Sequence, residues 1–398
     1  MLLRSLVIVN ANIKNYDCYM KFIHTSDWHL GRQFASRLLI EDQEYVLDQI
    51  INYLEQHQVQ ALLISGDIYD RSVPPVSAVA LLDKTLDRIG HLNIPVIMIP
   101  GNHDSAQRLG FAAQQLSASG VHIIADFEQM LRPVVIDAKG ERVAFYGMPF
   151  NDPELVRNHF QEPVNSYEAA HCLLTEKIRQ VMDMQSVNVL LAHCFLEGAV
   201  NSESERPLSI GGSDVVPHTV FEGFDYVALG HLHAPQYKGA EHIRYSGSIL
   251  KYSFSEQFHK KGVTLVELDA EGRASIQNLP LKPLRDVRTL EGTLTGIVEM
   301  GRQDPNAHDY VLVKLTDTHA VLDPMGKIRE VYPNVLQLEK PGLYRAEGEV
   351  VAPGQALKRD EYDLFCDFFE QVAGQALSEP QKQAVKEVIL EVRKEEQA

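Results

Sequence analysis

Five short segments of the chain carry side chains of the types that bind divalent cations. They are Asp27-Trp28-His29, Gly66-Asp67 with Asp70 three residues on, Gly101-Asn102-His103-Asp104, His193, and Gly230-His231-Leu232-His233. Mixed Asp, Asn and His donors suit a borderline ion such as manganese, iron or zinc better than magnesium, which prefers oxygen ligands and keeps its waters. The donors exceed the four that a single ion commonly takes, so two ions sharing one bridging Asp are the simplest arrangement. Two cations about 3.5–4 Å apart lower the pKa of a bound water and stabilise both the attacking and the leaving oxygen of an in-line displacement at phosphorus. The chemistry to expect is phosphoester hydrolysis.

Positioning these groups falls to the apolar runs before them. Phe22-Ile23, Ala61 to Ile64, Val96 to Ile99, Val189 to Ala192 and Tyr226 to Leu229 each lead into a ligand cluster, and Val143 to Tyr146 is a sixth run. They are short and continuous, which predicts strands buried on both faces. In open α/β sheets the carboxyl ends of strands converge on the site. Asp27 and His29 stand two apart, as do His231 and His233, so each pair faces one side if strand conformation persists, with Trp28 turned away into the core. Gly66, Gly101 and Gly230 fall where the backbone must turn sharply or pass close to the site. Between the runs, Tyr45, Val46, Ile50, Ile51 and Leu54 repeat at helical spacing over Glu41 to Leu54, and Val76 to Ile89 does so after Pro74-Pro75. Alternation of strand and helix predicts an α/β architecture.

Charge limits how a polyanion could be bound. The 37 Lys and Arg against 54 Asp and Glu give a net charge of −17, which excludes a broadly basic surface, so a nucleic-acid substrate needs local positive charge from ions or a partner. A length of 398 residues allows two or three domains, and 45% hydrophobic with 23% charged residues is an ordinary globular composition. No apolar run approaches the roughly 18 residues of a membrane helix. Cys18, Cys172, Cys194 and Cys366 form no C-x-x-C pair, so neither a zinc ribbon nor a disulfide framework is expected, and a cytoplasmic setting fits. Cys194 adjoins His193, but neighbouring strand residues face opposite ways, which argues against a nucleophilic pair. His57, His91, His159 and His319 lack ligand neighbours and read as surface residues.

Residues 1–20 read as a non-essential extension. The apolar stretch Leu6 to Val9 is too short for a signal peptide, and Met20 immediately precedes the opening strand. Residues 21–283 form the metal-bearing domain, bounded by the prolines near Leu279 to Pro283. Residues 284–345 read as a small α+β domain, with strands at Tyr310 to Leu315 and Asn334 to Leu338 and a helix at Pro324 to Val331. Residues 346–398 read as a linker and two amphipathic helices, one presenting Tyr362, Phe365, Phe369 and Val372, the other Val385, Val388, Ile389 and Val392.

The ordered set of motifs resembles that of the calcineurin-like metallophosphoesterases over residues 21 to about 250. Within that superfamily, His24 to Gly31, Gly66 to Asp70 and Tyr245-Ser246-Gly247-Ser248 look like the Mre-type nuclease family. The resemblance implies a β-sandwich flanked by helices (αββα) with a small cap domain and C-terminal helices. It implies that Asp27, His29 and His233 hold one ion, that Asn102, His193 and His231 hold the other, and that Asp67 bridges. His103 would be the catalytic histidine that is not a ligand, protonating the leaving oxygen or steadying the phosphate, with Asp104 holding it in place. Asp70 is either a further ligand or a residue that fixes the turn or orients His29.

By the same resemblance the activity is manganese-dependent exonuclease and endonuclease cleavage of DNA, in the processing of ends and hairpins. The partner is an SbcC-type ATPase docked on the C-terminal helices, in a heterotetramer containing a homodimer for which Val76 to Leu86 is a candidate surface. The chain has no G-x-x-x-x-G-K-[ST], so ATP binding of that kind must come in trans. Two alternatives stay open. A metallophosphatase or nucleotide phosphodiesterase of the same superfamily often carries Glu where Asp104 stands. A scaffold with vestigial catalysis usually loses ligands, whereas this set is complete.

Overall fold

The computed structural model describes residues 19–138, 140–205, 214–269, 271–317, 321–340 and 375–395, together with Tyr362, Phe365, Cys366 and Phe369. The extension up to residue 18, His319 and most of the helix expected around Tyr362 to Val372 lie outside the described residues. The chain divides into two compact units, Met1–Leu284 and Arg285–Ala398.

In the first unit the apolar runs form the middle of two six-stranded sheets. One contains β1 (Met20–Thr25), β2 (Ala61–Ser65), β3 (Val96–Ile99) and β4 (Val121–Ile123). The other contains β5 (Val134–Ala138), β6 (Glu141–Met148), β7 (Val187–His193), β8 (Tyr226–Gly230), β9 (Gln236–Lys238) and β10 (Ala240–Tyr245). Strands β11 (Gly262–Leu268) and β12 (Ala274–Pro280) return to complete the first sheet, whose order is β12-β11-β1-β2-β3-β4; the second runs β9-β10-β8-β7-β6-β5. Both have four parallel strands at their heart, β1 to β4 in one and β10, β8, β7 and β6 in the other. Parallel strands need covered faces, which is why these runs are continuously apolar and fully buried.

The sheets pack face to face. Phe22 of β1 meets Phe145 of β6 and Tyr226 of β8 edge-on, with ring centroids 5.8 and 5.4 Å apart. Helices flank the sandwich. α1 (Ile40–Gln56) buries Val46, Leu47, Ile50, Ile51 and Leu54, and packs with α2 (Val76–His91), which starts directly after Pro75. α3 (Pro153–Phe160) packs with α4 (Tyr167–Val181), whose first turn is capped by the Ser166 hydroxyl and whose Tyr167, Ala170, Leu174 and Ile178 join the core of the second sheet. Among the described residues no helix is long and apolar enough to cross a membrane.

The second unit begins with a three-stranded parallel sheet, β13 (Val287–Gly292), β14 (Tyr310–Leu315) and β15 (Val335–Glu339) in that order. α5 (Leu294–Gly301) and α6 (Pro324–Arg329) are the crossovers, and Ile297, Val311, Val313, Leu315, Ile328 and Tyr332 make its core. β13 and α5 had no clear signal in the sequence. α7 (Glu379–Glu395) follows, with Val388 exposed on its surface.

Candidate metal centre

The parallel strands deliver their ligands at their last residue, as with His193, or just past their ends. β1 stops at Thr25, and Asp27 and His29 follow with φ of 53° and 46°. Asp67 after β2 and His231 after β8 are also left-handed, with φ of 51° and 104°. The paired ligands therefore share a side because the backbone bends at them. Continued strand alternation, expected from the spacing, is not the cause. Such conformations cost on the order of 1–3 kcal/mol each where they are not Gly, and they persist where surroundings over-determine them. Here the Asp27 N–H donates to the Gly66 carbonyl at 3.0 Å and the His29 N–H to that of Asp67 at 2.9 Å, tying the first loop to the second. Trp28 is fully buried, its indole N–H donating to Thr25 Oγ1 at 3.0 Å. Gly66 is left-handed (φ 88°), and a Cβ there would collide with His193; at Gly101 a Cβ would collide with the Asp67 carboxylate.

The seven expected ligands come together. His29 Nε2 lies 3.1 Å from His233 Nε2, and these two residues with Asp27 form one group able to hold an ion. Asn102 Oδ1 lies 2.9 Å from His193 Nε2 and 3.2 Å from His231 Nδ1, forming a second convergence. Between them, Asp67 Oδ2 is 3.6 Å from both His29 Nε2 and His193 Nε2. The Asp27 carboxylate also accepts the His231 N–H at 3.1 Å, and Asp67 Oδ1 accepts that of His103 at 2.9 Å. Except for the half-buried Asn102, every member is buried.

Outer contacts fix the rings. His193 Nδ1 faces the Ser65 carbonyl at 2.9 Å, and His103 Nδ1 faces that of Asp70 at 2.8 Å. An Nδ1–H donated to Ser65 leaves the His193 Nε2 lone pair turned into the cage, while the Asp70 carbonyl fixes the His103 ring. His233 Nδ1 lies 2.6 Å from Ser204 Oγ and 3.2 Å from Glu256 Oε1. Glu256 is paired in turn with Lys261, whose ammonium donates to Ser248 Oγ at 2.7 Å and to the His233 carbonyl at 2.8 Å. Gln43 of α1 holds the His29 carbonyl at 2.7 Å. Sequence reasoning missed Ser204, Glu256, Lys261 and Gln43. No ligand-like spacing marks them, and the only available signal is two charged residues beside the apolar β11.

Electrostatics favour cations. Burial, with the Asp67 charge adding to it, pushes Asp27 well above the usual carboxylate range. Burial holds His29, His231 and His193 below the usual imidazole value, neighbouring histidines contributing. Crowded carboxylates and neutral imidazoles aimed at common points are the donor set that divalent ions stabilise, since an ion's charge reverses the local repulsion. The site can hold metal ions.

Asp104 lies elsewhere than expected. Asp104 Oδ2 accepts the N–H of Ile68 at 3.0 Å and of Gly101 at 2.9 Å, while Oδ1 accepts that of Tyr69 at 2.9 Å. Its carboxylate thus staples the loops after β2 and β3, and the His103 ring is steadied instead by the Asp70 carbonyl. Burial and the nearby Asp67 push Asp104 up to about 7. Asp70 joins no ligand group among the described residues; its carboxylate meets Arg32 at 3.2 Å and Arg71 at 3.6 Å, with His29 Nδ1 at 3.7 Å. Cys194 is fully buried and its thiol is pushed up by burial, so it stays protonated.

Sandwich and strand-end cage are the architecture of a calcineurin-like phosphoesterase, and residues 20–235 match that family. Residues 283–373 match the family described as Type 5 capsule protein repressor C-terminal domain. Over 372 residues the chain is 34% identical to SbcD of the SbcCD nuclease from Staphylococcus epidermidis, covering 93% of this chain and 98% of that one. The protein of the same name from Staphylococcus saprophyticus is similar to the same extent, 34% over 93% and 98%. The chain belongs to the SbcD branch of the calcineurin-like phosphoesterases.

Proposed function

We propose that the protein is the nuclease component of an SbcCD-type complex, a metal-dependent exonuclease and endonuclease that hydrolyses DNA phosphodiester bonds at ends and hairpins. The convergence of His29 with His233 and of Asn102 with His193 and His231, on either side of Asp67, carries this reading. Asp27, His29 and His233 would hold one ion, Asn102, His193 and His231 would hold the other, and Asp67 would be shared between them. The mixed nitrogen and oxygen donors suit manganese. When bound, the ions supply an activated water and compensate the charge on the phosphate.

The chain's own residues do the rest. His103 Nε2 lies 4.0 Å from Asp67 Oδ2, at the rim of the cage, where it can protonate the leaving oxygen or hold a phosphate oxygen. The Asp70 carbonyl sets its ring, and Asp104 keeps the Asp67 and Asn102 loops together. Residues 284–345 help to select and place DNA. Residues 346–398 dock the SbcC-type ATPase, in a heterotetramer built on a homodimer of this chain in the cytoplasm. The similarity to SbcD of the staphylococcal SbcCD nucleases supports these assignments over a phosphatase or nucleotidase role.

The test is digestion of linear duplex DNA with manganese, with and without the ATPase, beside hydrolysis of small phosphate monoesters. Digestion of DNA that the ATPase stimulates is expected. Turnover of monoesters alone would overturn the reading.

A further inference from the structure

Beside His103 opens a cavity of about 640 Å³ lined by Arg32, Gln33, Asp70, Arg71 and Ser72, with Asn102 and His103 adjoining the metal centre. That volume lies within the roughly 300–1,000 Å³ of small-ligand pockets, room for one nucleotide. We propose that Arg32 and Arg71, set on either side of the Asp70 carboxylate, form a subsite for the second phosphate of the nucleotide whose first phosphate is at the metal centre. The inference rests on the nuclease reading and names which part of the substrate this pocket takes.

Arg32 is held ready. One nitrogen donates to Asp70 Oδ1 at 3.2 Å, another to the Ser204 carbonyl at 3.1 Å, and its guanidinium lies over the Tyr252 ring at 5.0 Å. A guanidinium fixed in this way loses little freedom when it meets an anion. Arg71 is 64% exposed and 3.6 Å from Asp70 Oδ2, beyond hydrogen-bond length, so its planar fork faces solvent at the pocket mouth. Two guanidinium groups against one carboxylate leave an excess positive charge here, in a chain of net charge −17. The Asp70 carbonyl also orients His103, so one residue sets the distance between the captured phosphate and the ring that acts on the scissile bond. No step of the hydrolysis assigned above uses either arginine.

The experiment measures inhibition of manganese-dependent duplex digestion by deoxythymidine 3′,5′-bisphosphate and by the 3′- and 5′-monophosphates. The bisphosphate should bind roughly 10- to 100-fold more tightly than either monophosphate, the worth of a charge-assisted hydrogen bond. In Arg71→Gln that advantage should disappear, and Arg32→Lys should reduce it. Calorimetric titration of the same nucleotides reads the ratio wherever digestion is slow. Equal inhibition by all three, no inhibition by any, or an advantage that persists in Arg71→Gln overturns the subsite. A wild-type chain that digests no DNA overturns the nuclease reading instead.

Discussion

His29 and His233, 204 residues apart in the chain, bring their Nε2 atoms to 3.1 Å. With His233 Nδ1 committed to Ser204 and Glu256, its Nε2 lone pair points at His29 Nε2. The two Nε2 atoms share one ring N–H or turn both lone pairs on a cation, and burial disfavours a second proton on His29. This pair and its counterpart, His193 with Asn102, place donor atoms where metal ions could be held.

Asp67 joins the two halves, so removing its carboxylate should cost more than either terminal ligand. Asp67→Ala is expected to lower manganese-dependent DNA cleavage by more than about 10²-fold, exceeding the loss typical for an outer contact. Elemental analysis should show less bound manganese than in the wild type. Purified Asp67→Ala with full activity would contradict the assignment.

His103 presents a different outcome, because its ring is turned to the rim. His103→Ala should keep its manganese while cleavage slows by about 10²–10⁴, the usual worth of general acid catalysis. A parallel fall in metal content would make His103 a ligand instead.

Glu256 is fully buried and, although burial opposes it, Lys261 and His233 hold its carboxyl well below the usual carboxylate range. Glu256→Gln keeps a hydrogen-bond acceptor for His233 but not the charge. Manganese affinity measured by calorimetry should fall about 10–100-fold, the effect expected of a carboxylate behind a ligating histidine. Glu256→Ala strands the buried Lys261 ammonium and should lower unfolding free energy by about 3–5 kcal/mol. Unchanged affinity in Glu256→Gln would show that Ser204 alone sets the ring.

Much of this site was legible because ligand types cluster where apolar runs end, as at Ile64 before Gly66-Asp67 and Leu229 before Gly230-His231. The reason Asp27 and His29 share a side was not legible: spacing of two fits a strand as well as two left-handed residues, and only the loop bonds to Gly66 and Asp67 decide between them. Asp104 follows His103 in sequence, which invites a side-chain pairing, but three backbone N–H groups claim its carboxylate. Glu256 and Lys261 contact His233 only through tertiary structure, and no local pattern encodes such a contact. The small unit's middle strand was visible in Tyr310 to Leu315, while β13, with Arg288, Thr289 and Glu291, has too mixed a sequence to announce itself.

His171, buried in α4 with Nδ1 on the Tyr167 carbonyl at 2.8 Å, gives the fold a pH dependence of its own. Burial lowers its pKa to about 4. A histidine depressed in the folded state takes its proton more readily when unfolded, so full stability holds above its ordinary value near 6.5 and is lost as pH falls toward 4. Between pH 7.5 and 5.0 this one group should remove about 2 kcal/mol. Urea unfolding at both pH values should show a smaller drop for His171→Phe than for the wild type; equal drops would clear His171 of the effect.

Asp27, His29, Asp67 and His231 all sit in a backbone region that L-residues avoid. The native chain is thus wound, at its working end, against its own local preference. Glycine at Asp67 would relieve that tension and abolish catalysis in the same stroke. Durability and activity therefore pull in opposite directions at these positions, and a lineage freed from the need to cut DNA would drift toward sturdier, inert forms there first.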